Sequence, residues 1–448
     1  MVDRSPTIRR RPAWSTPCSS GPCASHLVPE DEGSVDLRLT APRREPRKAH
    51  HDGSPAIATT AFVSTYAPVL CGIATFTADL ASSVGDREIV ALDPSVPSGP
   101  NPPEVRYRIR RDVRDDYLRV ARVLDARRLS VISVQHEYGI WGGSDGAYVL
   151  DFVGSLSTPV VATLHTVLRN PTASQRRILR ELIDLTASTV VMSNAAVELL
   201  TRSYGVRPER LQVIPHGVPD LPLVVPDSVK PLLGLAGRTV ILSFGLLGTG
   251  KGYEAAIAAM PAVVAADPSA LYVIVGTTHP EMLRREGEAY RGRLVALADS
   301  LGMAEHVRFV GRFVDAAELV QWLEAADIFV TPYPNLEQIV SGTLSYAMSA
   351  GKAVVSTPYA YASERLAHGR GRLVAPGSVD ALAEALAELV LDPGLRAVYG
   401  RRAYDHSRGL LWPEVGAAYR GLFERVARST RTLASRPHLV MSGTSPDA

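Results

Sequence analysis

Ser243-Phe-Gly-Leu-Leu-Gly-Thr-Gly-Lys-Gly252 follows an apolar run, Thr239–Phe244, and opens an amphipathic stretch, Tyr253–Ala266. A strand, a glycine-rich turn and a helix in that order form an anion site. Glycines let the backbone approach a ligand closely, the helix N-terminus presents unpaired amides, and Lys251 adds a point charge. The spacing from Gly245 to Lys251 also fits a P-loop, but residue 252 is glycine where a P-loop carries Ser or Thr. The hydroxyl that would hold magnesium is therefore missing, and no apolar strand ending in Asp stands where a second magnesium ligand belongs. A nucleotide triphosphatase is set aside on these grounds. The remaining alternative to an anion site is a surface turn with a solvated lysine.

Outward from this turn, short apolar runs and amphipathic stretches alternate. Strands are expected at Leu271–Val275, Val307–Val310, Ile328–Pro332, Ala353–Ser356 and Arg372–Val374. Helices are expected at Arg284–Ser300, Ala316–Ala325, Gly342–Ala350 and Val379–Leu391. Gln338-Ile-Val-Ser-Gly-Thr-Leu-Ser-Tyr346 stands after the strand ending at Pro332, so Ser341, Gly342 and Thr343 fall in a first helical turn, where unsatisfied amides point outward. Two helix N-termini converging on one cleft suit a diphosphate.

Upstream, Pro215, Pro219, Pro222, Pro226 and Pro231 punctuate a linker. Before it the alternation runs through strands at Ile57–Val63, Glu88–Leu92, Val131–Gln135, Val160–Leu164, Thr189–Met192 and Gln212–Ile214. Helices are expected between them at Ile73–Val84, Tyr117–Arg127, Gly146–Ser155, Ser174–Leu185 and Asn194–Ser203. The class is α/β, with two Rossmann-like, doubly wound parallel-sheet domains facing a central cleft, where ligands sit at the carboxyl ends of strands. Residues 1–55 are rich in Pro, Ser, Arg and His without apolar periodicity and read as a disordered extension, as does the tail 429–448.

The chain has 448 residues, 46% hydrophobic and 21% charged, with a formal net charge of +2. That balance gives no global argument for a nucleic-acid partner. Three cysteines are too few for a disulfide framework, so a reducing, cytoplasmic setting is expected. No apolar run is long enough to span a bilayer, and no secretory leader is recognised, which leaves only peripheral membrane contact.

In the first half, Thr65-Tyr-Ala-Pro-Val-Leu-Cys-Gly-Ile73 joins the first strand to the first helix. Cys71 has no local base and reads as a packed thiol. His165 closes one strand, and His136 with Glu137 closes another of the same sheet. Both stand at strand ends, where function concentrates. No further His, Cys, Asp or Glu at suitable spacing completes a metal site.

The ordered series of segments resembles the family 4 retaining glycosyltransferases of the GT-B architecture over about residues 57–426. It comprises Cys71-Gly72, Thr163-Leu-His165-Thr, Val213-Ile-Pro-His-Gly-Val218, Phe244-Gly through Lys251-Gly252, Val275-Gly276, Val310-Gly311, Ala326-Asp-Ile-Phe-Val-Thr-Pro-Tyr333 and Ala347-Met-Ser-Ala-Gly351 with Ala353-Val-Val-Ser-Thr357. The resemblance implies an acceptor domain at 56–222 and a nucleotide-sugar domain at 223–409, with a helix at 410–428, beginning near Trp412, that packs back on the first domain. It implies a donor diphosphate on Lys251, Gly245 and Gly252 with Gly72 beneath the phosphates, and His165 at the reacting carbon. His136 and Glu137 fall on the acceptor or sugar side, and Glu364 on the nucleotide side. No cofactor and no metal are implied; a nucleotide-sugar donor and an unidentified carbohydrate or other acceptor are the expected partners.

Two departures stand out. The family's arginine shortly before the Lys-Gly pair is Leu246 here, and its Glu-x7-Glu pair reads Gln338 and Tyr346, with Glu337 one residue out of register. Gln338 and Tyr346 keep hydrogen-bonding capacity but lose charge, whereas Leu246 keeps neither. The expectation is a hexosyl transfer with retention at a retuned site. A glycoside phosphorylase or sugar-nucleotide epimerase on the same fold, or a catalytically weak sugar-nucleotide-binding protein, are the alternatives.

Overall fold

The computed structural model describes residues 59–85, 87–93 and 102–434. The extension expected over 1–55 lies outside the described residues. The first domain runs β1 (Thr60–Ser64), α1 (Gly72–Val84), β2 (Arg87–Asp93), β3 (Val105–Arg110), α2 (Arg114–Ala126), β4 (Val131–His136), α3 (Tyr148–Gly154), β5 (Val160–Leu164), α4 (Ala173–Leu185), β6 (Ser188–Val191), α5 (Asn194–Tyr204) and β7 (Leu211–Val213). The second runs β8 (Thr239–Phe244), α6 (Tyr253–Ala266), β9 (Ala270–Val275), α7 (Pro280–Glu286), α8 (Ala289–Ser300), β10 (Val307–Val310), α9 (Ala316–Ala325), β11 (Ile328–Thr331), α10 (Gly342–Ser349), β12 (Ala353–Ser356), α11 (Ala360–Arg365), β13 (Arg372–Leu373), α12 (Val379–Leu391) and α13 (Pro393–Ser407). The last helix, α14, spans Trp412–Ala434.

Every strand pair is parallel, and the orders are β3-β2-β1-β4-β5-β6-β7 and β10-β9-β8-β11-β12-β13. Each sheet reverses its winding direction between its first strand and the strand three places on, at β1/β4 and β8/β11. A crevice opens there at the carboxyl ends of the strands. The central strands are buried end to end because helices cover both faces, as parallel sheets require.

Helix α14 comes last in the chain yet packs on the first sheet. Trp412, Val415, Tyr419, Leu422 and Phe423 share one apolar cluster with Phe62, Phe76, Leu80, Val131 and Val161. Burying each such side chain is worth about 1.5–3 kcal/mol, so α14 is part of that core. Where the chain crosses between domains its two strands pair: Val218 N donates to Leu410 O at 2.9 Å, and Trp412 N to Val218 O at 3.0 Å.

Several elements depart from the sequence expectation, among them the helices α11 and α13, which were not anticipated. Strand β3 escaped notice because Arg106, Arg108 and Arg110 alternate with its apolar residues; at this sheet edge Arg108 pairs with Asp93 and Arg110 with Asp116. The single helix expected at 284–300 is two, because Gly287, with φ 59°, ends α7. Helix α14 runs to Ala434, past the boundary at 428.

Candidate functional site

The turn after β8 reaches α10 through one short chain of contacts. Gly252 starts α6 with φ 72°, and a Cβ there would sit 2.0 Å from the Pro332 carbonyl oxygen, so only glycine fits. That close approach carries Lys251 over the Tyr333 ring, with Nζ 4.3 Å from the centroid. The Tyr333 hydroxyl lies 3.2 Å from Thr343 Oγ1, which lies 3.1 Å from Ser341 Oγ. Ser341 caps α10 by accepting from Leu344 N at 3.3 Å. The Gly342 and Thr343 amides fall in the first turn, where a helix supplies no acceptor. Lys251, Ser341, Gly342 and Thr343 thus share one electropositive patch at a helix N-terminus.

The first domain meets α10 through α1 and the segment that follows β7, where His216 lies against Gly342. Cys71 is a packed cap: its Sγ accepts from Ala74 N at 3.3 Å and lies 3.2 Å from Thr65 Oγ1. Gly72 is exposed and looks into open space. The His165 ring stands edge-on to Phe76, centroids 4.9 Å apart, with Nε2 2.9 Å from Gln135 Oε1. Burial, helped by the neighbouring His216 and His136, lowers its pKa to about 3, so the imidazole is neutral at physiological pH. His216 lies on the other side of Phe76 at 5.0 Å, and burial lowers its pKa to about 4.

Not every expected residue reaches the cleft. His136 has no exposed surface and both ring nitrogens are unpartnered, so it lies inside the domain as a neutral imidazole with its pKa lowered by burial to about 4. Glu137 is committed locally, accepting from Thr166 Oγ1 and from Tyr138 N at 3.0 Å; burial raises its pKa. Gln338 folds back, its Nε2 donating to Val340 O at 2.9 Å. Tyr346 crosses between domains: its hydroxyl donates to Asp79 Oδ2 on α1 at 3.1 Å. Asp79 is half-buried, and desolvation raises its pKa.

Glu364 also crosses. Its Oε2 accepts from Asn194 N at 2.9 Å and Ala195 N at 3.5 Å, and its Oε1 from Asn194 Nδ2 at 3.3 Å. The carboxylate expected on the nucleotide side thus sits on the N-terminus of α5, where a negative charge is favoured. Glu337 accepts from Arg169 N and Asn170 Nδ2. Among the described residues no three His, Cys, Asp or Glu side chains group as a metal site, and no helix is long and apolar enough to cross a membrane.

Asp79, Phe76, His216 and Tyr333 line this site without having been singled out. His216 had a signal, the Pro-His-Gly that follows β7. Asp79 had none, because its partner lies 267 residues away.

Residues 72–220 match the family described as Glycosyltransferase Family 4, and residues 230–406 the one described as Glycosyl transferases group 1. The chain is 30% identical over 275 residues to the phosphatidyl-myo-inositol mannosyltransferase of Mycolicibacterium smegmatis, covering 60% of this chain and 66% of that protein. It is 27% identical over 297 residues to the D-inositol 3-phosphate glycosyltransferase of Kribbella flavida, covering 60% and 68%. The alignment thus spans about two thirds of each relative's length. Among solved structures, sucrose-phosphate synthase of Thermosynechococcus elongatus superposes with TM-score 0.69 at 18% identity, over 83% of this chain and 100% of that one. Anabaena HepE in complex with UDP and glucose gives 0.64 at 17%, over 84% and 100%. At these identities the likeness is one of fold.

Proposed function

The chain belongs to the family 4 glycosyltransferases of GT-B fold, and from that premise we propose that it moves a hexose from a nucleotide-sugar donor to an acceptor bound on the first domain. One observation carries the reading: Lys251 and the first turn of α10 form a single anion patch, with His165 and Gly72 on the domain opposite. A donor diphosphate on that patch meets an ammonium and two free amides. These groups bind most strongly as charge builds on the departing phosphate, which is how preorganised donors lower a barrier. The neutral His165 imidazole is suited to hydrogen-bond the transferred sugar rather than to add charge beside it. Retention of configuration and independence from a metal are taken from the family likeness. The relatives named for inositol phosphate and phosphatidyl-myo-inositol make phosphorylated or lipid-linked polyols the first acceptors to try.

The test begins with a thermal-shift screen over UDP- and GDP-sugars, since a ligand at 100 times its dissociation constant stabilises by about 2.7 kcal/mol. The selected donor is then incubated with candidate acceptors. Release of nucleoside diphosphate that depends on acceptor is the expected result. Binding without release under any acceptor supports the weak-binder alternative, and sugar interconversion without release supports an epimerase.

A further inference from the structure

His216 is 9% exposed and held on three sides by aromatic rings: Phe76 at 5.0 Å, Trp412 at 5.9 Å and Tyr346 at 6.4 Å. Its Nδ1 lies 2.7 Å from Gly217 O. A carbonyl oxygen can only accept, so Nδ1 carries the hydrogen and Nε2 carries a lone pair. That lone pair is aimed at the start of α10: a methyl group on Gly342 would sit 3.0 Å from Nε2. Among the described residues Nε2 has no hydrogen-bond partner. That accessible lone pair therefore points at the helix turn whose amides attract an anion.

The charges at this turn do not balance when a donor is present. The diphosphate of a nucleotide sugar carries two negative charges, both on diester-type phosphates that stay ionised throughout the neutral range. Lys251 answers one of them, and position 246, where the likeness led us to expect an arginine, is leucine. An imidazole nitrogen beside Gly342 can answer the second by taking a proton.

We propose that His216 is the second cation of the donor site, gaining a proton on Nε2 when a nucleotide sugar binds against α10. The proton comes from the solvent, adds to the Nε2 lone pair and breaks no bond of the donor. The imidazolium then donates to a diphosphate oxygen through the departure of the sugar, and returns its proton when the product leaves. As the ring stands, burial and the neighbouring Arg365 keep it neutral, with its pKa lowered to about 4. The other groups facing it are the neutral His165, the Tyr346 phenol and, beyond that phenol, Asp79. An adjacent anion can raise a pKa by a few units, enough to reach neutrality. This inference rests on the donor-site reading above.

Calorimetric titration of the full chain with UDP-glucose and GDP-mannose, in two buffers of different ionisation enthalpy, counts the protons directly. At pH 6 we expect net uptake approaching one proton per bound donor. Affinity should tighten by up to about tenfold per pH unit as pH falls from the bound-state pKa toward the free-state pKa. His216→Gln should remove both effects, whereas His165→Gln and Asp79→Asn should retain them. Wild-type binding without proton uptake, or uptake that survives in His216→Gln, overturns the inference while leaving the donor site standing. Binding of neither probe takes down the donor-site reading and this inference with it. If His216→Gln does not fold, His216→Asn takes its place as the variant in which uptake must vanish.

Discussion

Single residues divide by whether they touch the anion or the sugar. On the proposed reading Lys251 would meet the donor through its charge, so Lys251→Ala should weaken nucleotide-sugar and free-diphosphate binding alike. A charge-assisted bond is worth about 1.5–3 kcal/mol, which is a loss of roughly 10- to 100-fold in affinity by titration calorimetry. Unchanged affinity would return Lys251 to the status of a solvated lysine stacked on Tyr333. His165 stands on the opposite domain, and His165→Ala should lower kcat by at least about tenfold while nucleotide affinity stays within about twofold. Equal losses in both would mean that the ring supports the cleft rather than the reaction. Gly252→Ala forces a Cβ to within 2.0 Å of a carbonyl at φ 72°, so urea unfolding should show it destabilised by about 1–3 kcal/mol or more. At this scale the lysine and its glycines were legible, because a turn's chemistry is local. Asp79 and His216 acquire their meaning from side chains far away in the chain.

At the scale of elements, α10 and α1 meet through one phenol and one carboxylate. Tyr346→Glu would set a second carboxylate against Asp79 on partly desolvated ground, and like charges placed so close are unfavourable. We expect turnover to fall by at least about tenfold, and the further change Asp79→Asn to recover most of it, because Asn accepts without charge. A gain in turnover from Tyr346→Glu alone would show that the tyrosine is a loss of function rather than a retuned contact. Strands such as Val160–Leu164 and Thr239–Phe244 were read from sequence to the residue, since mostly apolar runs announce buried parallel strands. Strand β3 was not, since three arginines in six residues break its apolar pattern.

For the molecule as a whole, two carboxylates of the second domain clasp backbone amides of the first: Glu337 at Arg169 and Glu364 at Asn194 and Ala195. Buried Arg365 reinforces them by donating to Met192 O at 3.0 Å. Loss of a helix cap costs about 1 kcal/mol, so a Glu337→Ala, Glu364→Ala variant should keep each domain folded while favouring an open cleft. Small-angle scattering should then show a larger radius of gyration than wild type, with unchanged circular dichroism. An identical radius would mean that α14 and the paired crossover at Val218 suffice to fix the domains.

The sequence by itself determined the two doubly wound domains, the proline-marked linker between them and the glycine-rich turn that carries Lys251. These follow from periodicity and turn chemistry, which act over a few residues. Only the tertiary structure decided which polar groups share the cleft. It buried His136, turned Gln338 onto its own loop, carried Glu364 to the N-terminus of α5 and joined Tyr346 to Asp79. The physical reason is that a polar side chain settles where its partner and its solvation are best. Across a domain boundary both are set by the packing of two sheets and by α14, which no local pattern encodes.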